Sequence, residues 1–300
     1  MADGQPSVSL VLGSGGARGL AHIGVIRWLC ENHYRIAAVS GCSIGALIGG
    51  LHAAGKLEAY RDWLLAQSPR DLLGLLDLSF QRTGGLIAGN RLNAVLRELV
   101  GDLAIEDLPI RYTAVAADIE CGREVWLTRG PLLEAMRASF AIPMIFPPVA
   151  RRGALLVDGG ILNPVPIAPT LGDASDLVVA VHVSGAAARA AAPAPPPVPA
   201  DDEQDRGWRR LTGYLRRGGG AAVAVSWHML AVANQAFDAM QSTIARQKMA
   251  AYPPDLLVEL PRDLCGIHEF HRAAELIDLG YRAAAQIIPA TPAPDSAATG

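Results

Sequence analysis

Lysine is almost absent from this 300-residue chain. Lys and Arg together number 26, and Lys56 and Lys248 are the only lysines. With 29 acidic residues the formal net charge is -3, which leaves no basic excess for neutralising nucleic-acid phosphates and excludes a nucleic-acid partner. A P-loop is excluded too, because neither lysine stands in a Gly-Lys-Ser/Thr sequence. The four cysteines, Cys30, Cys42, Cys121 and Cys265, contain no CxxC pair, so neither a zinc knuckle nor a disulfide framework is expected. They read as reduced, mostly buried small residues. Residues 1–5 carry Asp3 and no positive charge, which lacks the parts of a secretory signal and sets the expectation of a cytoplasmic protein. Two uncharged runs, 36–55 and 218–237, reach bilayer length. The first is interrupted by Ser40, Ser43 and His52 and by four glycines besides the terminal Gly55; the second opens on three glycines and carries His228, Asn234 and Gln235. Both suit buried or interfacial segments better than membrane spans.

What is present is apolar and periodic: 51% of residues are hydrophobic and 18% charged, enough for a substantial core. Short apolar strands are read at 7–12, 35–40, 112–117, 155–157 and 177–183, with another at 123–127 after a Cys121-Gly122 turn. Helices are read between them, at 20–32, 44–54, 57–78 with a break at Pro69, and 90–100 with a good N-cap. Strands apolar on both faces that alternate with helices imply a mainly parallel sheet in a three-layer αβα sandwich. Residues 1–185 read as one core. Residues 186–206, rich in Ala, Pro and acids, read as a linker. The remainder, 207–290, reads as a helical segment with one strand at 255–260 that packs on the core, and 291–300 as a frayed tail.

Three local patterns carry chemistry. Gly13-Ser14-Gly15-Gly16-Ala17-Arg18-Gly19 follows a strand and opens a helix, so its successive N–H groups can face an anion. It is not a dinucleotide loop: the GxGxxG spacing fails, and Val39-Ser40-Gly41 stands where a ribose-binding acid belongs. Gly41-Cys42-Ser43-Ile44-Gly45 is a G-x-S-x-G string at a strand-to-helix turn, the setting of a nucleophile elbow that presents Ser43. Cys42 is the rival nucleophile, but its phase turns it inward. No histidine is compelling as a base. His22, His33 and His52 fall near the first two strands, His182 lies within a strand and His228 in a helix, while His268 and His271 miss zinc spacing by one residue. Val157-Asp158-Gly159-Gly160 offers a carboxylate at a strand end instead, although such a turn read alone is only a turn.

In this order the glycine loop, the elbow and the Asp-Gly-Gly turn resemble the patatin-like phospholipase family, above all bacterial members allied with the neuropathy target esterase catalytic domain. The resemblance runs over residues 8–183 and more loosely over 255–285. Supporting phrases include residues 86–99, Ala135-Met136-Arg137-Ala138-Ser139, Phe146-Pro147-Pro148 and Asn163-Pro164-Val165-Pro166. Cys42 departs from the threonine common at its position. The resemblance implies Ser43 as nucleophile and Asp158 as general base. It also implies an oxyanion hole of the Gly15, Gly16 and Ala17 amides aided by Arg18, a lipid ester substrate, and no metal or cofactor. A catalytically idle regulator on the same fold and a dinucleotide-binding oxidoreductase are the alternatives. Apolar residues at 72–80, 140–149 and near Trp227 read as surface for resting on a lipid interface, or equally as core.

Overall fold

Six consecutive buried residues make Ser7–Leu12 (β1) the centre of an eight-stranded sheet. The computed structural model describes residues 5–74, 89–187 and 227–291. After β1 come a 3-10 turn at Gly16–Leu20 and α1 (Ala21–Glu31), then β2 (Arg35–Cys42) and α2 (Ile44–Ala53). The next helices are α3 (Leu57–Ala66), α4 (Pro69–Gly74) and α5 (Asn90–Val100). Two antiparallel pairs follow, β3 (Arg111–Asp118) with β4 (Arg123–Leu127), and, beyond α6 (Leu132–Ser139), β5 (Val149–Arg151) with β6 (Ala154–Asp158). The chain closes with β7 (Leu177–Gly185), α7 (Trp227–Ala251), β8 (Leu256–Pro261) and α8 (Ala273–Ile287).

Strands β3, β2, β1, β7 and β8 are parallel neighbours in that order. Side-chain alternation divides the core between the two faces of the sheet. Leu10 and Leu12 of β1 and Val179 and Val181 of β7 pack with α1, α2, α6 and α8 in the main cluster. On the opposite face, Val11 and Ala180 pack with Val165, Ile167 and Ala245 of α7. The αβα sandwich inferred from the alternation is therefore the architecture, with the C-terminal strand and helix built into it.

Both edges of β3 are occupied, and this positions the site. Ala114 pairs with Gly41 of β2 on one side and Leu127 of β4 on the other, and the β2 ladder ends at Cys42 opposite Val115. Ala116, still paired to β4 through Val125, meets Asp158 of β6. A strand has two edges, so β6 takes up the edge that β2 vacates and approaches it head-on. The carboxyl ends of β2 and β6 meet at Val115.

The expected break at Pro69 is present, and only its form is sharper: residues 57–74 form two helices, the second opening on Pro69, which suits its missing N–H. Several expectations are corrected. Helix α5 has no side-chain cap: Gly89, at φ 71°, takes the capping place. Cys30 and Cys121 are exposed, and only Cys42 and Cys265 are buried. The antiparallel pairing of β6 with β3, strand β5 and helix α6 were not foreseen. Residues 188–206 of the linker, 218–226 of the second uncharged run, 75–80 of the apolar stretch and 292–300 of the tail lie outside the described residues. Among the described residues, no helix is long and apolar enough to cross a membrane.

Helices α1 and α8 touch backbone to backbone. A Cβ on Gly280 would stand 1.9 Å from the Ala21 carbonyl oxygen, and one on Gly24 equally close to that of Ile277. Trp28 and Tyr281 extend the contact edge to face at 5.3 Å. Gly280→Ala must push the helices apart, and we expect it to lower unfolding free energy by about 1–3 kcal/mol. Urea unfolding monitored by circular dichroism measures this; an unchanged midpoint would contradict the contact.

Candidate active site

Ser43 sits where β2 stops and α2 starts, with φ 56° and ψ -123°, a conformation that costs a non-glycine residue energy and holds its side chain clear of the strand. The surroundings enforce it. The Ser43 N–H donates to Ser139 Oγ at 3.0 Å, and Ser139 Oγ–H donates to the Val115 carbonyl at 2.6 Å, so α6 pins the elbow to β3. Gly45 lets α2 lie against the end of β1, since a Cβ there would be 2.1 Å from the Leu12 carbonyl oxygen. Gly41 is crowded in the same way by the first turn of α2, at 2.5 Å from the Gly45 oxygen.

Asp158 is 1% exposed and accepts the Ser43 hydroxyl at 2.5 Å on Oδ2. Its Oδ1 accepts the Gly160 N–H at 2.7 Å and faces the Cys42 thiol at 3.9 Å. Gly159 has no room for a side chain, because a Cβ would fall 2.2 Å from the Val115 oxygen. Burial pushes the Asp158 carboxyl up to about 6, against the opposing pull of its three hydrogen bonds. Burial, then the Asp158 charge, holds the Cys42 thiol well above its usual range, so it stays protonated. Among the described residues, no histidine contacts Asp158. His22 is buried, held down to about 4 mainly by burial, and its Nε2 bonds the Gly13 carbonyl at 2.8 Å. His182 pairs with Glu259, and His268 lines the cavity described below.

The glycine loop lies beside this pair but is not used as anticipated throughout. Gly13 and Ser14 N–H groups are consumed by the carbonyls of Val181 and Pro164. The Ala17 N–H donates to the Ile267 carbonyl at 2.9 Å, so the structure does not bring it to the site. Among the described residues, no acceptor meets the Gly15 and Gly16 N–H groups. Arg18, 3% exposed, gives Nε to the Gly15 carbonyl at 3.1 Å, Nη1 to the Arg262 carbonyl at 2.8 Å, and Nη2 to Asp238 at 3.5 Å. A trans peptide holds its C=O and N–H opposed. By holding the Gly15 oxygen, Arg18 aims the Gly16 N–H.

Ser43, Asp158, Gly15, Gly16 and Arg18 border one cavity of about 250 Å³. Much of its lining is apolar, from Tyr60, Trp63 and Leu64 of α3, Leu72 of α4, Leu92 of α5 and Phe146. Part of the 140–149 run thus lines the cavity, while Met144 is exposed. Among the described residues, no group of three or more His, Cys, Asp or Glu could hold a metal ion. Sequence reasoning missed three supports. Ser139 appeared only inside a resemblance phrase. Gln241 of α7 accepts the Ser14 hydroxyl at 3.2 Å across 227 positions and leaves no space for a side chain on Gly160, and nothing local announces it. His22 holds the glycine loop from α1, where spacing reads it as a helix residue.

The profile of the patatin-like phospholipase family matches residues 10–171, a span that contains the glycine loop, the elbow and the Asp-Gly-Gly turn. The chain belongs to that family. An uncharacterized NTE family protein of Mycobacterium bovis is 40% identical over 333 residues, covering 95% of this chain and 92% of the relative. A neuropathy target esterase of Drosophila persimilis is 36% identical over 167 residues, which is 53% of this chain and 12% of that longer protein. VipD from Legionella pneumophila overlaps at a TM-score of 0.44 and 15% identity, over 94% of this chain and 66% of the other.

The raised Asp158 carboxyl has a consequence for stability. Its folded value, about 6, exceeds the ordinary 3.8, so its contribution is fully present below pH 4 and is lost as pH rises through 6. Asp158→Asn removes the ionisation. Its unfolding free energy relative to the parent should therefore improve by up to about 3 kcal/mol between pH 4 and pH 7. Denaturant titrations of both proteins across that range measure the trend; a difference that stays flat would contradict a desolvated carboxylate.

Proposed function

We propose that this patatin-like chain is a serine acyl hydrolase that cleaves fatty-acyl esters of phospholipids or lysophospholipids through Ser43 and Asp158. The observation that carries this reading is the direct hydrogen bond from the Ser43 hydroxyl to a buried carboxylate, with no imidazole between them. Asp158 takes the hydroxyl proton as Ser43 Oγ bonds to the ester carbonyl carbon. The negative charge that develops on the carbonyl oxygen is received by the Gly15 and Gly16 N–H groups, with the N-terminus of α2 adding a favourable dipole. Collapse of this intermediate breaks the ester C–O bond, and the departing alcohol or lysolipid takes the proton from Asp158. Water, giving its proton to Asp158, then bonds to the acyl carbon; the bond from that carbon to Ser43 Oγ breaks, Oγ takes the proton back from Asp158, and the fatty acid leaves.

Asp158 suits this role because its burial brings a weak base closer to the working pH while leaving it ionised at neutrality. The wall formed by Tyr60, Trp63, Leu72, Leu92 and Phe146 suits an acyl chain, whose burial contributes roughly 0.8 kcal/mol per methylene. The same preference for apolar ligands argues against a dinucleotide.

Ser43→Ala and Asp158→Asn should each lower hydrolysis of a lysophospholipid by 10³-fold or more while the protein stays folded, as expected of residues acting as one unit. Replacing His182 or His268 should leave catalytic efficiency within about tenfold of the parent. Steady-state assays with circular dichroism controls decide it. Undiminished turnover by either folded dyad variant would overturn the mechanism, and so would a folded histidine variant as inactive as Ser43→Ala.

A further inference from the structure

A second cavity, of about 290 Å³, opens between β4 and the β5–β6 hairpin, and its lining includes four arginines, Arg123, Arg129, Arg151 and Arg152. The catalytic cavity, by contrast, is bordered by one. Val125, buried Leu156 and Trp126, the last about half exposed, also line it. Such a concentration of guanidinium groups in a chain of net charge -3 is not explained by overall composition.

Nor is it explained by internal ion pairing. Arg123 does pair with Asp118, at 3.3 Å. Among the described residues, Arg129, Arg151 and Arg152 form no ion pair. Glu106 lies close enough to feel Arg129 and Arg151, but its carboxylate is bound to the Gly130 N–H at 2.7 Å. Glu124 is committed to Lys248 and Asn163. Two further details point the same way. Arg151 is braced by Nη2 donating to the Arg129 carbonyl at 2.7 Å, while its Nη1 is buried and, among the described residues, has no hydrogen-bond partner. Arg152 and Gly153 form the hairpin turn at φ 49° and 79°, and the first of these places ordinarily goes to Asn, Asp or Gly. The fold thus holds an arginine in a strained position at the cavity rim, and leaves a buried donor unmet.

Guanidinium forks match the oxygens of phosphate in geometry and charge, and an indole face beside them accepts a flat or aliphatic portion of the same ligand. We propose that this cavity is a binding site for a phosphate-bearing anion, separate from the catalytic cavity, either a soluble phosphate compound or the headgroup of an acidic phospholipid. It requires no role for Ser43 and stands apart from the hydrolase reading.

The test uses the full chain and a double variant, Arg129→Ser with Arg152→Gly, the second change being one that the turn conformation favours. Pyrophosphate is titrated by calorimetry, and binding to phosphatidylcholine vesicles with and without phosphatidylglycerol is measured by flotation. Hydrolysis of a short aryl ester should be unchanged in the variant, and the unfolding midpoint should not fall. Pyrophosphate binding that weakens at least tenfold in the variant supports the site with a soluble ligand. Binding only to phosphatidylglycerol vesicles, lost in the variant, supports it as a headgroup site. Absence of binding to both probes, or equal binding by parent and variant, overturns the proposal.

Discussion

The meeting of two strand ends at Val115 is the constraint on which the site depends. A carboxylate can face a serine hydroxyl with no intermediary only if the two backbones are held within a few ångströms, and β2 and β6 achieve this by sharing one edge of β3 from opposite directions. Everything nearby serves that approach. Ser139 ties the elbow amide to the Val115 carbonyl, Gly159 slips past that carbonyl without a side chain, and Gln241 closes the gap between the Asp-Gly-Gly turn and the glycine loop. Small residues recur because backbone must pass close to backbone.

The same closeness sets the electrostatics. Burial that raises Asp158 toward 6 would, if stronger, leave it protonated and unable to take the serine proton at neutral pH. Hydrogen bonds from Ser43, Gly160 and Cys42 hold the shift in check. Arg18 is the buried cation at this cavity, and its donors go to two backbone carbonyls and Asp238. It works on the loop's geometry and binds the loop to the segment that follows β8. That segment also claims the Ala17 amide through Ile267, while among the described residues the Gly15 and Gly16 amides of the cavity lining have no acceptor.

Much of this was legible in the sequence because it is local. Apolar strands alternating with helices define the layers, and the glycine loop, the elbow string and Asp158 each sit at the end of a strand that periodicity alone could find. What escaped was set by distance. The Asp158 approach depends on antiparallel pairing of β6 with β3, which runs of three to five residues do not announce. Ser139 and Gln241 look like ordinary helix residues until the tertiary fold brings them to the elbow and the loop. Ala17 was misjudged for the same reason, its acceptor lying 250 positions away at Ile267. Cys30 and Cys121 were misplaced because hydrophobicity averages say little about single small side chains at a helix end or a turn.

The most direct measurement of the central claim is the pH dependence with which a fluorophosphonate probe labels Ser43, followed by mass spectrometry of the modified peptide. If Asp158 is the base, labelling rises through one ionisation near pH 6, stays level above it, and falls to background in Asp158→Asn. Labelling that persists at the parent rate in Asp158→Asn, or that disappears when His268 alone is replaced in a folded protein, would contradict it.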